Sequence, residues 1–318
     1  MAGAALALAA CSGRPGVPAG ARLGPAIAAA IAAADQVREP WRCAAPDGPS
    51  APDETLATGT RTWQLGAHVM KLATPGDVAI GVIADAAGSA PATLAALGRL
   101  RARFGRVDLV LSLGGMGATR AELDAAFAAL TDRATWPLVV LPGDLEPVAG
   151  QREAIAAARL RGAAVIDGRL VQRIELPAAT IALVPGSGEA SRLAAGADGC
   201  RYRAEDVTAV LAELTPRAGL RILASADPPR EAVAGEPIGE LAITIGAGQQ
   251  IDIALHGPAS DTAATPAHSG NRDGAAVSLS PGSSDATPRL PGPQRTPTAG
   301  VLTVHGAAWS WRPIEGVK

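Results

Sequence analysis

Five short turns, each following an apolar run, hold the side chains in this sequence whose placement could do chemistry. They are Asp85-Ala86-Ala87-Gly88, Gly114-Gly115-Met116-Gly117, Pro142-Gly143-Asp144-Leu145-Glu146, Ser225-Ala226-Asp227-Pro228-Pro229 and His256-Gly257-Pro258. Carboxylates and an imidazole at strand ends are potential metal donors, and a set dominated by oxygen favours Mg²⁺, Mn²⁺ or Ca²⁺ over Zn²⁺. Asp85, Asp144, Glu146 and His256 are therefore the candidate site residues, with Asp85 and Asp144 the candidate metal ligands. Each has a plainer reading. Asp in a turn accepts backbone N–H bonds. A histidine at a strand end can be packed or face solvent without binding anything. Gly114, Gly115 and Gly117 suit a tight turn with close backbone approach. A Gly-rich turn before a helix can also cradle an anion, but this spacing is not G-x-G-x-x-G. The sequence contains no nucleophile elbow, P-loop, zinc-finger spacing or Ser/His/Asp order.

The elements before these turns must position them. Residues 78–84 form a nearly continuous apolar run, which predicts a strand buried on both faces. Helical periodicity over 90–104 follows, then a strand over 107–113, a helix from 119 to 132, a strand over 137–141 and a helix over 148–160. This alternation predicts a largely parallel sheet with right-handed crossovers, and side chains of a functional site then sit past the carboxyl ends of the strands. Short strands are expected at 163–166, 170–176, 180–184, 220–224 and 251–255, with a helix over 204–214. Residues 61–72 read as one edge strand. The stretch 257–299 is rich in Pro, Gly, Ser, Thr and Asp, broken by a strand over 275–279. Strands at 301–305 and 308–312 would close as a hairpin. Trp309 and Trp311 are two residues apart, so they face one side of their strand and read as core or edge covering. No internal repeat is present.

The order and spacing of the turns resemble the calcineurin-like metallophosphoesterases, whose pattern runs D-x-H, G-D, G-N-H-D/E, a His before a Pro-containing turn, and G-H-x-H. The resemblance covers residues 77–318. It implies an α/β fold in which two mixed β-sheets pack face to face with helices outside, an αββα sandwich. It also implies a metal-dependent phosphoesterase, and there the sequence departs. Asp85 falls on the first Asp, but Ala87 stands where the D-x-H His belongs. Gly115 replaces the bridging Asp. Asp144 replaces the Asn of G-N-H, Leu145 its His, and Glu146 takes the acidic position after it. Ser225 or Ala226 stands for the single His, and Pro258 and Ser260 for the last two. The chain has four His, at 68, 256, 268 and 305, and none occupies a ligand slot of the pattern. Two dications about 3.5 Å apart repel by on the order of 20 kcal/mol even at an effective dielectric near 20, so a bridging anion is required. Glycine supplies none. The resemblance therefore implies a catalytically impaired pseudo-phosphoesterase with no cofactor, which binds a small phosphorylated ligand or an envelope protein. The alternatives are a rewired hydrolase with one Mg²⁺, Mn²⁺ or Ca²⁺ on Asp85, Asp144 and Glu146, with or without His256, and a structural envelope protein.

Composition and the N-terminus bound the setting. Nearly half the residues are hydrophobic while aromatics make up 3%, so the core is built from Ala, Val, Leu and Ile. The formal net charge is −2 and no basic run stands out, which argues against a nucleic-acid partner. No apolar stretch is long enough to span a bilayer. Residues 3–10 are small and apolar and lead into Leu8-Ala9-Ala10-Cys11, which resembles a lipobox. Residues 1–10 are then a cleaved signal peptide, Cys11 carries a lipid, and the protein is held at the bacterial cell envelope, at the outer membrane or the periplasmic face. No Lys or Arg precedes the apolar run, which departs from such signals. Residues 11–60 read as a tether (12–24), a helix (25–37) and a loop (44–60), and 61–318 as the main domain. In an oxidising compartment the two remaining cysteines, Cys43 and Cys200, can pair or stay as buried thiols.

Overall fold

The computed structural model describes residues 42–45, 48–214, 219–229, 231–233, 236–238, 243–244, 251–258, 267–269, 276–286 and 296–316. Cys11, the tether and the helix expected over 25–37 lie outside the described residues.

A hairpin meander opens the body: β1 (Glu54–Thr58), β2 (Arg61–Gly66) and β3 (Val69–Leu72). The single edge strand expected over 61–72 is thus two strands. Ala67 and His68 lie between them at φ 46° and 64°, the positive dihedrals of a two-residue hairpin turn. The loop expected over 44–60 is also shorter, because β1 pairs antiparallel with β2 from Glu54↔Leu65 to Thr58↔Arg61 and becomes the sheet edge. No apolar alternation marks β1 in the sequence, since its side chains alternate only between half-buried and exposed.

The α/β alternation then follows. β4 (Val78–Ile83), α1 (Pro91–Phe104), β5 (Leu109–Leu113), α2 (Arg120–Thr131), β6 (Leu138–Leu141), α3 (Val148–Leu160) and β7 (Val165–Asp167) form successive crossover units. β4, β5, β6 and β7 pair in parallel. The hairpin β16 (Thr298–His305) and β17 (Ala308–Glu315) adds antiparallel to β4, giving a six-stranded sheet in the order β17-β16-β4-β5-β6-β7. The second sheet has nine strands. It takes β1, β2 and β3, then β8 (Arg173–Glu175), β9 (Ala179–Val184), β10 (Leu220–Ser225), β13 (Ile253–His256), β15 (Val277–Ser280) and β14 (Ala267–Ser269), with α4 (Ala204–Ala212) on its outer side. A small ribbon, β11 (Glu231–Val233) with β12 (Glu236–Ile238), stands apart from both sheets. Both sheets are mixed: in the six-stranded sheet an antiparallel hairpin adds at one edge of four parallel strands, and in the nine-stranded sheet antiparallel pairs lie on both sides of a parallel centre.

Three apolar cores define four layers. The largest lies between the sheets and combines Ile80, Leu109, Leu111 and Leu302 of one with Trp63, Ile174, Ile181 and Ile222 of the other. Val110 and Val140 point the opposite way and pack under α1–α3 with Leu97, Phe127 and Leu130. Leu223 and Ala182 pack under α4 with Val207 and Val210. This is the period-two alternation of strands covered on both faces. Trp309 and Trp311 pack half-buried against the inter-sheet core. A Cβ on Gly300 would lie 2.0 Å from the Trp311 ring, so only glycine leaves room for that ring on the neighbouring strand.

Candidate functional site

The carboxyl ends of β4, β5, β6, β10 and β13 meet at one end of the sandwich. The chain continues pairing past β4 and β5: Asp85 N–H donates to Gly114 C=O at 2.9 Å and Ala87 N–H to Gly115 C=O at 2.7 Å. The approach is so close that side chains are excluded. A Cβ on Gly114 would lie 2.8 Å from Gly143 Cα and 3.0 Å from the Ala226 methyl, and one on Gly115 would lie 2.7 Å from Asp85 Cα. Gly114 and Gly115 sit at φ 81° and 73°, conformations that other residues adopt at a cost. A Cβ on Gly257 would lie 2.5 Å from Ala226 C=O. The five turns thus converge, and glycine and alanine backbone fills the point of convergence.

Glu146 binds this arrangement together. Its carboxylate is buried and accepts the backbone N–H of Met116 at 2.5 Å and of Gly143 at 2.8 Å, joining the turn after β5 to the turn after β6. Burial pushes its pKa up to about 7; backbone N–H donors, those of Met116 and Gly143 first, oppose that rise and the charge of Asp144 adds to it. Asp85, at φ 51°, is half-buried. Its carbonyl accepts the Ser283 hydroxyl at 2.9 Å. Ser284 N–H donates to Ala84 C=O at 2.8 Å, so residues 281–286 close one side of the turn. His256 is buried and sits on the far side of β13. Its Nδ1 is 2.6 Å from Gly257 C=O and its Nε2 2.6 Å from the Ser278 hydroxyl. Nδ1 must then carry the proton and Nε2 accept. Burial lowers its pKa to about 4, with the Gly257 carbonyl opposing.

A strap over 185–202 crosses the same end. Gly186 N–H donates to Pro142 C=O and Ala194 N–H to Asp144 C=O, both at 2.8 Å. Arg192 reaches inward from the strap: Nη1 lies 3.1 Å from Asp227 Oδ1 and Nη2 3.7 Å from Asp144 Oδ2. Asp227 is buried and also accepts the Tyr202 hydroxyl at 2.8 Å and Gly188 N–H at 2.9 Å. The base of the strap is joined to the N-terminal arm by a disulfide between Cys43 and Cys200, whose Cα atoms are 5.6 Å apart. Beside it Arg42 grips the buried Asp206 at the start of α4 through Nε at 2.9 Å.

The structure therefore gathers Asp85, Asp144 and Glu146 at one end but does not aim them, with His256, at a common point. Among the described residues no three His, Cys, Asp or Glu side chains are placed to share an ion. Arg192, Asp227 and Tyr202 are the members of this end that sequence reasoning missed. Asp227 lies in a turn already singled out, but Arg192 and Tyr202 belong to a stretch with no strand or helix signal, and nothing in the sequence links them to Asp144.

No protein-family model matches the sequence, and no curated protein is similar to it. Solved structures are similar in shape. TT1561 of Thermus thermophilus superposes with a TM-score of 0.51 at 15% identity, over 74% of this chain and 98% of its own. GAP50, the anchor in the inner membrane complex of Plasmodium, gives 0.49 at 10% identity, over 77% of this chain and 86% of its own. The purple acid phosphatase PPD1 from yellow lupin seeds gives 0.48 at 10% identity, over 79% of this chain and 56% of its own. At 15% identity the likeness to TT1561 concerns the fold alone: two mixed sheets face to face between helices, the calcineurin-like phosphoesterase architecture.

The metal pair that this fold family implies does not fit the residues present. Motif order sets Gly115 where the fold family's pattern has its bridging carboxylate, and a side chain there would collide with the Asp85 backbone. Both carboxylate oxygens of Glu146 are taken by backbone N–H groups. Both ring nitrogens of His256 are taken by Gly257 and Ser278.

Proposed function

We propose that this chain is a catalytically impaired phosphoesterase-fold protein, tethered to the bacterial cell envelope by a lipid on Cys11, which acts by binding rather than by hydrolysis. The observation that carries the reading is the closed packing at residue 115. The fold family's chemistry needs a shared anion between two dications, whereas here two backbones meet with no space for a side chain. The remaining acids serve the protein itself: Glu146 binds two turns together, and Asp144 and Asp227 share Arg192. The partner is an envelope protein or a small phosphorylated ligand at the strand-end face, where Asp144 and Arg192 are about one-third exposed.

The test is turnover of a chromogenic phosphodiester by purified protein in the presence of Mg²⁺, Mn²⁺, Ca²⁺ and Zn²⁺ in turn, alongside crosslinking in intact envelopes. The expected result is no metal-dependent turnover and a discrete crosslinked partner that disappears with Arg192→Glu. Turnover that depends on metal and is lost in Asp85→Ala would overturn the reading.

A further inference from the structure

At the opposite end of the sandwich, where β6 and β7 begin, the ends of α2 and α3 enclose a cleft of about 400 Å³. Thr131, Asp132, Arg133, Trp136 and Arg161 line it. We propose that this cleft binds the phosphate of an anionic phospholipid headgroup, seating this face of the domain on a bilayer.

The three helices beneath the six-stranded sheet each end near a residue at positive φ: Gly105 at 68°, Arg133 at 55° and Gly162 at 85°. Glycine is the residue of lowest cost in that conformation, and any side chain there is strained. Two of the helices use glycine. The third accepts the cost of a long cation, which places a guanidinium at the mouth of the cleft.

The acids near the cleft are already answered: Asp132 by Arg101 at 3.1 Å and Asp124 by Arg161 at 2.8 Å. Arg133 is exposed and makes no ion pair or hydrogen bond among the described residues. Its charge is therefore the uncompensated one. A guanidinium binds phosphate oxygens through paired N–H donors.

One exposed side chain selects the source of the phosphate. Leu160, the last residue of α3, is 90% exposed and is the one exposed large hydrophobic among the described residues. It adjoins Arg161 of the cleft. A leucine held in water beside cations gains by entering the boundary between headgroups and acyl chains, and a soluble phosphate ester would give it nothing. Cleft and leucine together fit a lipid headgroup with its acyl chains below.

The experiment uses the full chain with Cys11→Ser, so that no attached acyl chain contributes. It measures co-sedimentation with phosphatidylcholine vesicles and with mixed phosphatidylcholine and phosphatidylglycerol vesicles, and calorimetry with soluble glycerol phosphate. The expected result is binding to the anionic vesicles alone. Arg133→Gly should lower partitioning about fivefold, the equivalent of about 1 kcal/mol per cation near an anionic surface. The same variant should melt at a higher temperature than the parent, so misfolding cannot explain the loss. Leu160→Ser should lower partitioning at unchanged charge. Equal binding to both vesicle types, or anionic binding indifferent to Arg133→Gly, would overturn the proposal. Binding of soluble glycerol phosphate without vesicle binding would overturn the lipid assignment.

Discussion

Glu146 and His256 are two buried titratable groups whose protonation costs run in opposite directions, and together they should hide a pH dependence that single substitutions expose. Burial raises the Glu146 pKa from 4.5 to about 7 and lowers that of His256 from 6.5 to about 4. The fold therefore prefers both groups neutral. For Glu146, the unfolded chain ionises first as pH rises, so its stabilising contribution is complete below about pH 4.5 and is lost by about pH 7. For His256, the unfolded chain protonates first as pH falls, so its contribution is complete above about pH 6.5 and is lost by about pH 4. Each displacement corresponds to roughly 3 kcal/mol. The windows overlap and the slopes oppose, so the two contributions should nearly cancel in the parent protein between about pH 4.5 and pH 6.5. In Glu146→Gln only the histidine remains, and unfolding free energy should rise with pH by roughly 3 kcal/mol across that window. In His256→Gln it should fall by a similar amount. At pH 5, Glu146→Gln should also lose about 1–3 kcal/mol, because its amide NH₂ faces a backbone donor that the carboxyl oxygen accepted. Urea unfolding at half-unit pH intervals measures all three curves. Three parallel curves would refute the reasoning, since they would mean that neither group is held neutral by the fold.

Other consequences can be checked separately. Replacing Cys43 and Cys200 with alanine should lower stability by up to about 5 kcal/mol on the chain-entropy model, given the sequence separation of 157; thermal melts with and without reductant measure it. Gly115→Asp should neither create a metal site nor leave the fold intact, because its Cβ would lie 2.7 Å from Asp85 Cα. Unfolding and metal-binding titrations of that variant should show a loss of about 2–4 kcal/mol and no gain in affinity, overpacking and a positive φ acting together. Arg192→Met should release the strap from Asp144 and Asp227 and speed proteolytic nicking within 185–199, while the global melting temperature changes little. Leu111→Ala, at the centre of the inter-sheet core, should cost about 2–5 kcal/mol in chemical denaturation.

The elements whose signal is local were legible in the sequence. Val148–Leu160 is helical over the span its periodicity indicates, and the buried runs before Asp85, Gly114 and Gly143 are the strands β4, β5 and β6. The turns converge because parallel strands with crossovers bring their carboxyl ends to one side. What escaped depends on contacts remote in sequence. The β1 edge has no apolar alternation, and its existence rests on backbone pairing with β2. The hairpin at Ala67 and His68 lacks the glycine or asparagine that normally marks such a turn. The role of Glu146 was legible only as an acid in a ligand-like position, because the donors that engage it, Met116 and Gly143, are backbone groups that composition does not reveal. His256 reads in the sequence either as a site candidate or as a packed strand-end histidine, and Ser278 and Gly257, which occupy both sides of its ring, are contacts the sequence does not reveal.

The most direct test of the account is metal stoichiometry. The purified chain, stripped with chelator and dialysed against Mn²⁺ and then against Zn²⁺, is measured by elemental analysis beside an Asp85→Ala control. The account expects no ion retained at stoichiometric occupancy and no difference between the two proteins. Two ions per chain, lost in the Asp85 variant, would show that the glycine-lined junction opens to hold a metal pair and would contradict it.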